Sequence, residues 1–212
     1  MYILTYARVI DPILHDIRVY TPDFAGMKQG DRVLDVCCAT GDQVFHYARK
    51  GVNAAGIDFD PRMVRIADKS RRKRGLTDVS FQVADAGNLP FRDSTFDCAS
   101  ISLALHEKER PARDRVISEM KRVVRSEGVL VFIDFRAPLP RNAYAFLIRI
   151  VEFFAGWSHF RCSRDYIEQG GLGELLNKHR LHVEKRDYLK YGTIMIVKAK
   201  IRHTDCNKHH EE

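Results

Sequence analysis

The chain has 212 residues, 45% of them hydrophobic and 30% charged, which excludes a disordered or fibrous protein. At roughly 150 residues per domain the length suits one domain with a large shared core. The net charge is +7, and Lys69, Arg71, Arg72, Lys73 and Arg74 supply five positive charges in one run. No apolar run reaches the roughly 18 residues of a membrane span; the best candidate, Ala143–Ala155, is broken by Arg149 and Glu152. Met1–Arg8 has no basic start, apolar stretch or small-residue cleavage site, so no signal peptide is expected and the cytosol is the default compartment.

The periodicity alternates between strand and helix. Met1–Tyr20 mixes apolar and polar residues, with Pro12 interrupting any helix there, and Pro22 and Gly26 mark a loop. Arg32–Cys37 is a short apolar strand, followed by a helix over Asp42–Arg49. Asn53–Asp58 is a second strand. Pro61–Lys73 is a helix with Asp60 as N-cap and Pro61 in its first turn. Val79–Ala84 and Phe96–Ser102 are the third and fourth strands. Pro111–Val124 is a helix, and Gly128–Phe135 is the fifth and most apolar strand. After Pro138 and Pro140 the rhythm changes. Ala143–Phe154 is an apolar helix and Leu172–His179 a shorter one. Leu181–Tyr188 and Tyr191–Lys200 stand too close in sequence for a parallel crossover, so they should pair as an antiparallel hairpin.

Cys37, Cys38, Cys98, Cys162 and Cys206 match neither a zinc-site spacing nor a disulfide framework. They are expected to be reduced thiols, and no metal site is expected. The basic run admits two readings: a nucleic-acid patch, or a solvated helix C-terminus where cations meet the negative end of the helix dipole. No aromatic RNA-binding motif accompanies it, which favours the second.

Five strands alternating with helices imply an α/β, doubly wound, mostly parallel sheet that ends in an antiparallel hairpin. Ligands of such sheets bind outside the carboxyl ends of the strands. After the first strand, Asp35-Val-Cys-Cys-Ala-Thr-Gly-Asp42 holds one glycine, Gly41, and so is a poor pyrophosphate cradle. After the second strand, Asp58 could accept hydrogen bonds from a ribose diol and Phe59 could flank a flat base. After the third, Asp85 could accept from an adenine amino group. Each of these acids is equally at home in an ordinary turn or cap.

Taken in order, VLDVCCATGD, GIDFDPRMV, FQVADAGNLPF, FDCASISLALHE and EMKRVVRSEGVLVFIDF resemble the motifs of class I S-adenosylmethionine-dependent methyltransferases. The resemblance runs from Arg32 to Phe135 and is closest to the branch that methylates small or lipid-soluble molecules, including quinone precursors. It implies a Rossmann-like methyltransferase fold and S-adenosyl-L-methionine as cofactor. By position, Asp35 would order the first loop and hold the methionine ammonium, with backbone contacts from Cys37, Ala39 and Gly41. Asp58 would bind the ribose, Phe59 and Met63 would pack beside the ring, and Asp85 with the Ala86 amide would meet adenine. Ser102 would lie near the sulfonium. Cys37 and Ala39 stand where the family usually has glycine, which conflicts with a positive φ.

Methyl transfer from a sulfonium is a direct displacement, so alignment and water exclusion matter most and can remove roughly 7–11 kcal/mol of barrier. A base is needed only where the acceptor carries a tightly held proton. His106 is the first candidate and Asp134 the second, against a capping histidine and a strand-end aspartate.

The resemblance also implies one domain over residues 1–201. Residues 1–25 would form an N-terminal lid and 137–180 a helical insertion on the acceptor side, with 202–212 a frayed tail. Tyr6 and Tyr20 of the lid and the aromatics of Ala143–Phe160 would close an apolar acceptor pocket. The expected partner is a small-molecule acceptor, without a membrane span. Two alternatives stand beside it: an RNA or protein methyltransferase using Lys69–Arg74, and a non-catalytic cofactor-binding module.

Overall fold

Val33, Leu34 and Val36 in one segment and Leu130–Ile133 in another expose essentially no surface. Strands apolar on both faces need cover on both sides, which a parallel sheet with flanking helices supplies. The computed structural model describes residues 11–154 and 156–202, so the expectations for Tyr6, Cys206 and the tail beyond Arg202 lie outside the described residues.

In chain order the elements are α1 (Asp11–Ala25), β1 (Arg32–Val36), α2 (Asp42–Ala48), β2 (Asn53–Asp58), α3 (Pro61–Lys73), β3 (Val79–Val83), β4 (Phe96–Ser102), α4 (Arg110–Val123) and β5 (Val124–Phe135). Then follow α5 (Ala143–Phe154), α6 (Trp157–Glu168), α7 (Gly171–Lys178), β6 (Leu181–Leu189) and β7 (Ile194–Ile201). The sheet order is β3-β2-β1-β4-β5-β7-β6. β1 to β5 pair parallel, while β7 runs antiparallel to both β5 and β6, as the short connection predicts. The order reverses between β1 and β4, and a crevice opens at such a switch point.

Two stretches differ from expectation. The segment containing Pro12 and Pro22 is a helix, not an interruption and a loop. Pro12 occupies the first turn, where a missing N–H costs nothing. Pro22 removes the N–H that would have reached the Arg18 carbonyl, and Gln43 Nε2 donates to that carbonyl instead at 3.1 Å. The helix ends at Gly26 (φ 75), with Met27 N bonded to Pro22 O and Gly26 N to Asp23 O, a Schellman closure. The second difference is α6, which follows the apolar helix after a short break.

The basic run closes α3. Arg71 and Arg72 pair with Asp68, and the Arg74 guanidinium lies 4.5 Å from the centre of the Phe45 ring. Three of the five cations thus have partners within the domain.

The turn from β1 into α2 is left-handed three times: Cys37 (φ 61), Ala39 (φ 48) and Gly41 (φ 77). Gly41 is required, because a Cβ there would stand 2.5 Å from the Phe81 ring. Gly41→Ala should destabilise by about 2–5 kcal/mol, combining left-handed strain with overpacking. Ala39→Gly should instead stabilise by about 0.5–1 kcal/mol, since relieved strain of roughly 1–2 exceeds the added chain entropy of about 0.5–1. Urea unfolding midpoints check both; a destabilised Ala39→Gly would contradict the strained geometry.

Candidate functional site

A cavity of about 490 Å³ opens over the carboxyl ends of β1, β2 and β3. Its lining includes Cys37 after β1, Asp58 and Phe59 at the end of β2, Asp85 and Ala86 after β3, and Glu107–Glu109 with the start of α4. Asp58 and Asp85 therefore face one space. Phe59 is 79% exposed beside them, an aromatic ring with an open face. The lining holds five carboxylates (Asp58, Asp60, Asp85, Glu107 and Glu109) against two cations, Lys108 and Arg115. In a chain of net charge +7 this is a local reversal of sign. It favours a cationic ligand and opposes a pyrophosphate.

Backbone amides fix the acids. Asp58 accepts from Ala39 N at 2.8 Å through Oδ2 and from Asp60 N at 2.9 Å through Oδ1. One carboxylate thereby ties the turn after β1 to the entrance of α3. Asp60 caps α3 by accepting from Arg62 N, as its position before Pro61 predicts. Asp85 accepts from Gly87 N at 2.8 Å, which holds the turn after β3.

Asp35 lies deeper, on β1 at the switch point. Its Oδ1 accepts from Ser100 Oγ of β4 at 2.7 Å, and Ser100 in turn accepts from Tyr47 of α2 at 2.9 Å. Burial pushes the Asp35 carboxyl up to about 7, against the opposing pull of the Ser100 bond and Arg18. Behind the same turn, Arg18 of α1 bonds Asp11 and Asp42, and Thr40 donates to Asp11. Asp42 is partly buried, which opposes ionisation, but His46 and Arg18 hold its carboxyl down at about 2.

His106, in the loop after β4, is 4% exposed. Its Nδ1 stands 2.6 Å from Asp134 Oδ1, and its Nε2 faces Glu152 of α5 at 3.7 Å. Burial opposes protonation of the ring, but Asp134, then Glu152 and Glu107, raise its pKa overall. The second base candidate, Asp134, is thus the partner of the first.

Among the expected site residues, the cavity gathers Cys37, Asp58, Phe59, Asp85 and Ala86. Asp35, Ala39, Gly41, Met63 and Ser102 lie outside its lining, as does His106. Tyr20 does not reach the cavity lining either: its hydroxyl donates to Asp187 of β6 at 2.9 Å. Lys108, Ser100 and Arg18 were not expected. The run His-Glu-Lys at the end of LALHEK is the signal that could have found Lys108.

An unfolded aspartate titrates near ~3.9, whereas folded Asp35 keeps its proton up to about 7. The folded state binds more protons between these values, so this group stabilises at low pH and its contribution is lost as pH rises through that window. The change is up to about 4 kcal/mol. Asp35→Asn should remove it, so the gap in urea midpoint between variant and parent should move in the variant's favour from about pH 4.5 to about pH 7.5. A gap constant with pH would show that Asp35 is ionised throughout.

Residues 33–128 match the methyltransferase domain family. A demethylmenaquinone methyltransferase of Paenarthrobacter aurescens is 35% identical over 137 residues, covering 63% of this chain and 51% of that protein. A ubiquinone/menaquinone biosynthesis C-methyltransferase of Citrifermentans bemidjiense is 34% identical over 119 residues, covering 53% of this chain and 49% of that protein. The chain spans about half the length of these relatives. Among solved structures, a SAM dependent methyltransferase from Aquifex aeolicus shares the fold with a TM-score of 0.66 at 20% identity, over 87% of this chain and 89% of the other. Among the described residues, no helix is long and apolar enough to cross a membrane. Residues 33–128 match a methyltransferase domain family and resemble quinone methyltransferases in sequence, and the chain as a whole has the fold of a SAM dependent methyltransferase.

Proposed function

We propose that this chain transfers a methyl group from S-adenosylmethionine to a small apolar or aromatic acceptor. The observation that carries this reading is the acid-lined cavity beside the switch point of a basic chain. A sulfonium with an α-ammonium group is a cationic ligand, and it supplies the activated methyl group. Asp58 would offer its remaining lone pairs to a ribose diol, Phe59 its open face to a base, and Asp85 with the Ala86 amide would meet an adenine edge, a reading supported by their shared cavity. Asp35, buried and bonded to Ser100 outside the cavity lining, would order the turn from below rather than meet the ligand itself. Ala39, Gly41, Met63 and Ser102, outside the cavity lining, would contribute only indirectly.

The acceptor belongs on the other side of His106. There α5 and α6 enclose a second cavity of about 370 Å³, with Leu139, Ile148, Phe160 and Ile167 in its wall beside Glu152. Phe153 and Trp157 lie against the wall residue Phe160, at 5.7 and 6.0 Å between ring centres, and with Phe154 they are more than half exposed, so they are not core residues. With Nδ1 committed to Asp134, only Nε2 of His106 remains for chemistry, and it faces this side. A base role therefore requires an acceptor seated between β4 and α5. α1 and residues 137–180 act as the lid and acceptor-side elements. The cytosol suits the free thiols of Cys37, Cys38, Cys98 and Cys162.

Phe59→Ala should leave the unfolding midpoint nearly unchanged, because the ring is exposed, yet weaken S-adenosylmethionine binding by about 1 kcal/mol, several-fold in Kd. Calorimetric titration checks this, and unchanged affinity would remove the adenosyl assignment. Replacing Phe153 and Trp157 by Ala should raise acceptor KM and leave cofactor affinity intact. Equal loss of both would place the acceptor elsewhere.

A further inference from the structure

The buried side of α5 poses a question. Tyr144, Phe146, Leu147, Ile150, Val151, Phe153 and Phe154 are exposed, while the residues the helix buries are Ala145 and Glu152. A helix that turns apolar groups outward and one carboxylate inward gives up burial that would stabilise it. It also desolvates a charge, which calls for a strong partner.

Glu152 meets two imidazoles. Its Oε2 stands 2.9 Å from His159 Nε2 of α6, and its Oε1 stands 3.7 Å from His106 Nε2. Oε2 is fully buried, yet no hydrogen bond closes onto it. Both rings thus present Nε2 to the same carboxylate. Both also present Nδ1 to a second carboxylate: Asp134 at 2.6 Å from His106, and Glu107 at 3.7 Å from His159. The bond to Asp134 fixes the His106 tautomer with hydrogen on Nδ1 and leaves its Nε2 lone pair free, the usual support of a metal-bound histidine; Glu107, at 3.7 Å, stands beyond hydrogen-bond distance from His159.

We propose that His106, Glu152 and His159 form a binding site for a first-row divalent cation of the zinc class. Their ligand atoms all lie within 4.8 Å of one another. Ligands at 2.0–2.2 Å from a tetrahedral ion are separated by about 3.4 Å, so small side-chain rotations close the site. Two imidazoles and a carboxylate suit zinc, cobalt, iron or nickel better than magnesium or calcium. Three protein ligands leave one position open, and Glu152 also lines the acceptor-side cavity. The site rests on the methyl-transfer reading only for its role: the open position would take an oxygen of the acceptor and lower the affinity of that oxygen for its proton. The same lone pair of His106 cannot serve at once as ligand and as base, so metal binding decides between them.

The full-length protein, stripped with a chelator and dialysed, would be titrated with Zn²⁺ by calorimetry and with Co²⁺ by visible absorption. One equivalent should bind, with the intense visible bands of low-coordinate Co²⁺. Glu152→Gln and His159→Gln should each weaken binding more than about 100-fold, and Asp134→Asn by roughly 10–100-fold. His159 is only partly buried, and an unchanged unfolding midpoint would confirm that the His159→Gln protein is folded. S-adenosylmethionine affinity, titrated in the same variant, should be unchanged, which separates this site from the cofactor reading. Absence of stoichiometric binding, or equal binding by parent, Glu152→Gln and His159→Gln, would overturn the proposal; the latter result would assign the metal to other groups such as the cysteines.

Discussion

The carboxylate of Asp134 is where the two halves of the functional region meet. It sits at the end of β5, 1% exposed, and gathers four N–H groups. Leu105 N and His106 N donate to Oδ2 at 3.0 and 3.2 Å; Phe135 N and His106 Nδ1 reach Oδ1 at 2.8 and 2.6 Å. Charge-assisted bonds of this kind are about twice as strong as neutral ones, and a buried acid with four donors has its desolvation met. The loop after β4 is held in place by them. That loop carries Glu107 and Lys108 into the wall of the first cavity and His106 toward the second. Arg113 Nε, donating to Leu105 O at 3.0 Å, holds the same loop from the side of α4.

The first loop is held by a comparable device. Asp58 pulls Ala39 N toward β2, and Arg18 with Thr40 anchors the other flank to α1. These bonds explain how Cys37 and Ala39 remain left-handed without being glycine. Left-handed backbone at such residues costs on the order of 1–3 kcal/mol each and persists only when its surroundings over-determine it. Here a carboxylate, a buried guanidinium and a hydroxyl do so together. The strain lies in the turn that faces the cavity, where backbone must come close to a ligand.

Where sequence reading succeeded and where it failed both have physical causes. The strands of the parallel sheet were visible because each is a short apolar run ended by an acid or a turn. That same punctuation located Asp35, Asp58 and Asp85. Helix α1 was hidden because Pro12 and Pro22 read as breakers, while the Gln43 side chain that compensates Pro22 lies on another element. The Arg32–Phe135 motifs contained His106 and Asp134 but did not show that one holds the other, a relation created by the pairing of β4 with β5. Glu152 was visible only as an interruption in an apolar run. Its meaning depends on a helix packing that brings residue 152 beside residue 106, and no local pattern encodes that.

Charge organises what remains. Positive residues gather at the exposed end of α3 and around Asp165, where exposed Arg110 and buried Arg113 converge. Arg113 is 1% exposed and reaches back to Leu105 O and Cys162 O, so it ties α4 and α6 to the loop that carries His106. Carboxylates, in contrast, outnumber cations in the wall of the first cavity, while the second balances Glu152 and Glu168 against Arg149 and Arg164. A fold could place either sign at its strand ends, since backbone amides there accept anions readily. In this chain the amides nearest the first cavity are already occupied by Asp58 and Asp85, which converts a potential anion site into a cation site. That conversion is what makes a phosphate-bearing cofactor a poor fit and a sulfonium a good one.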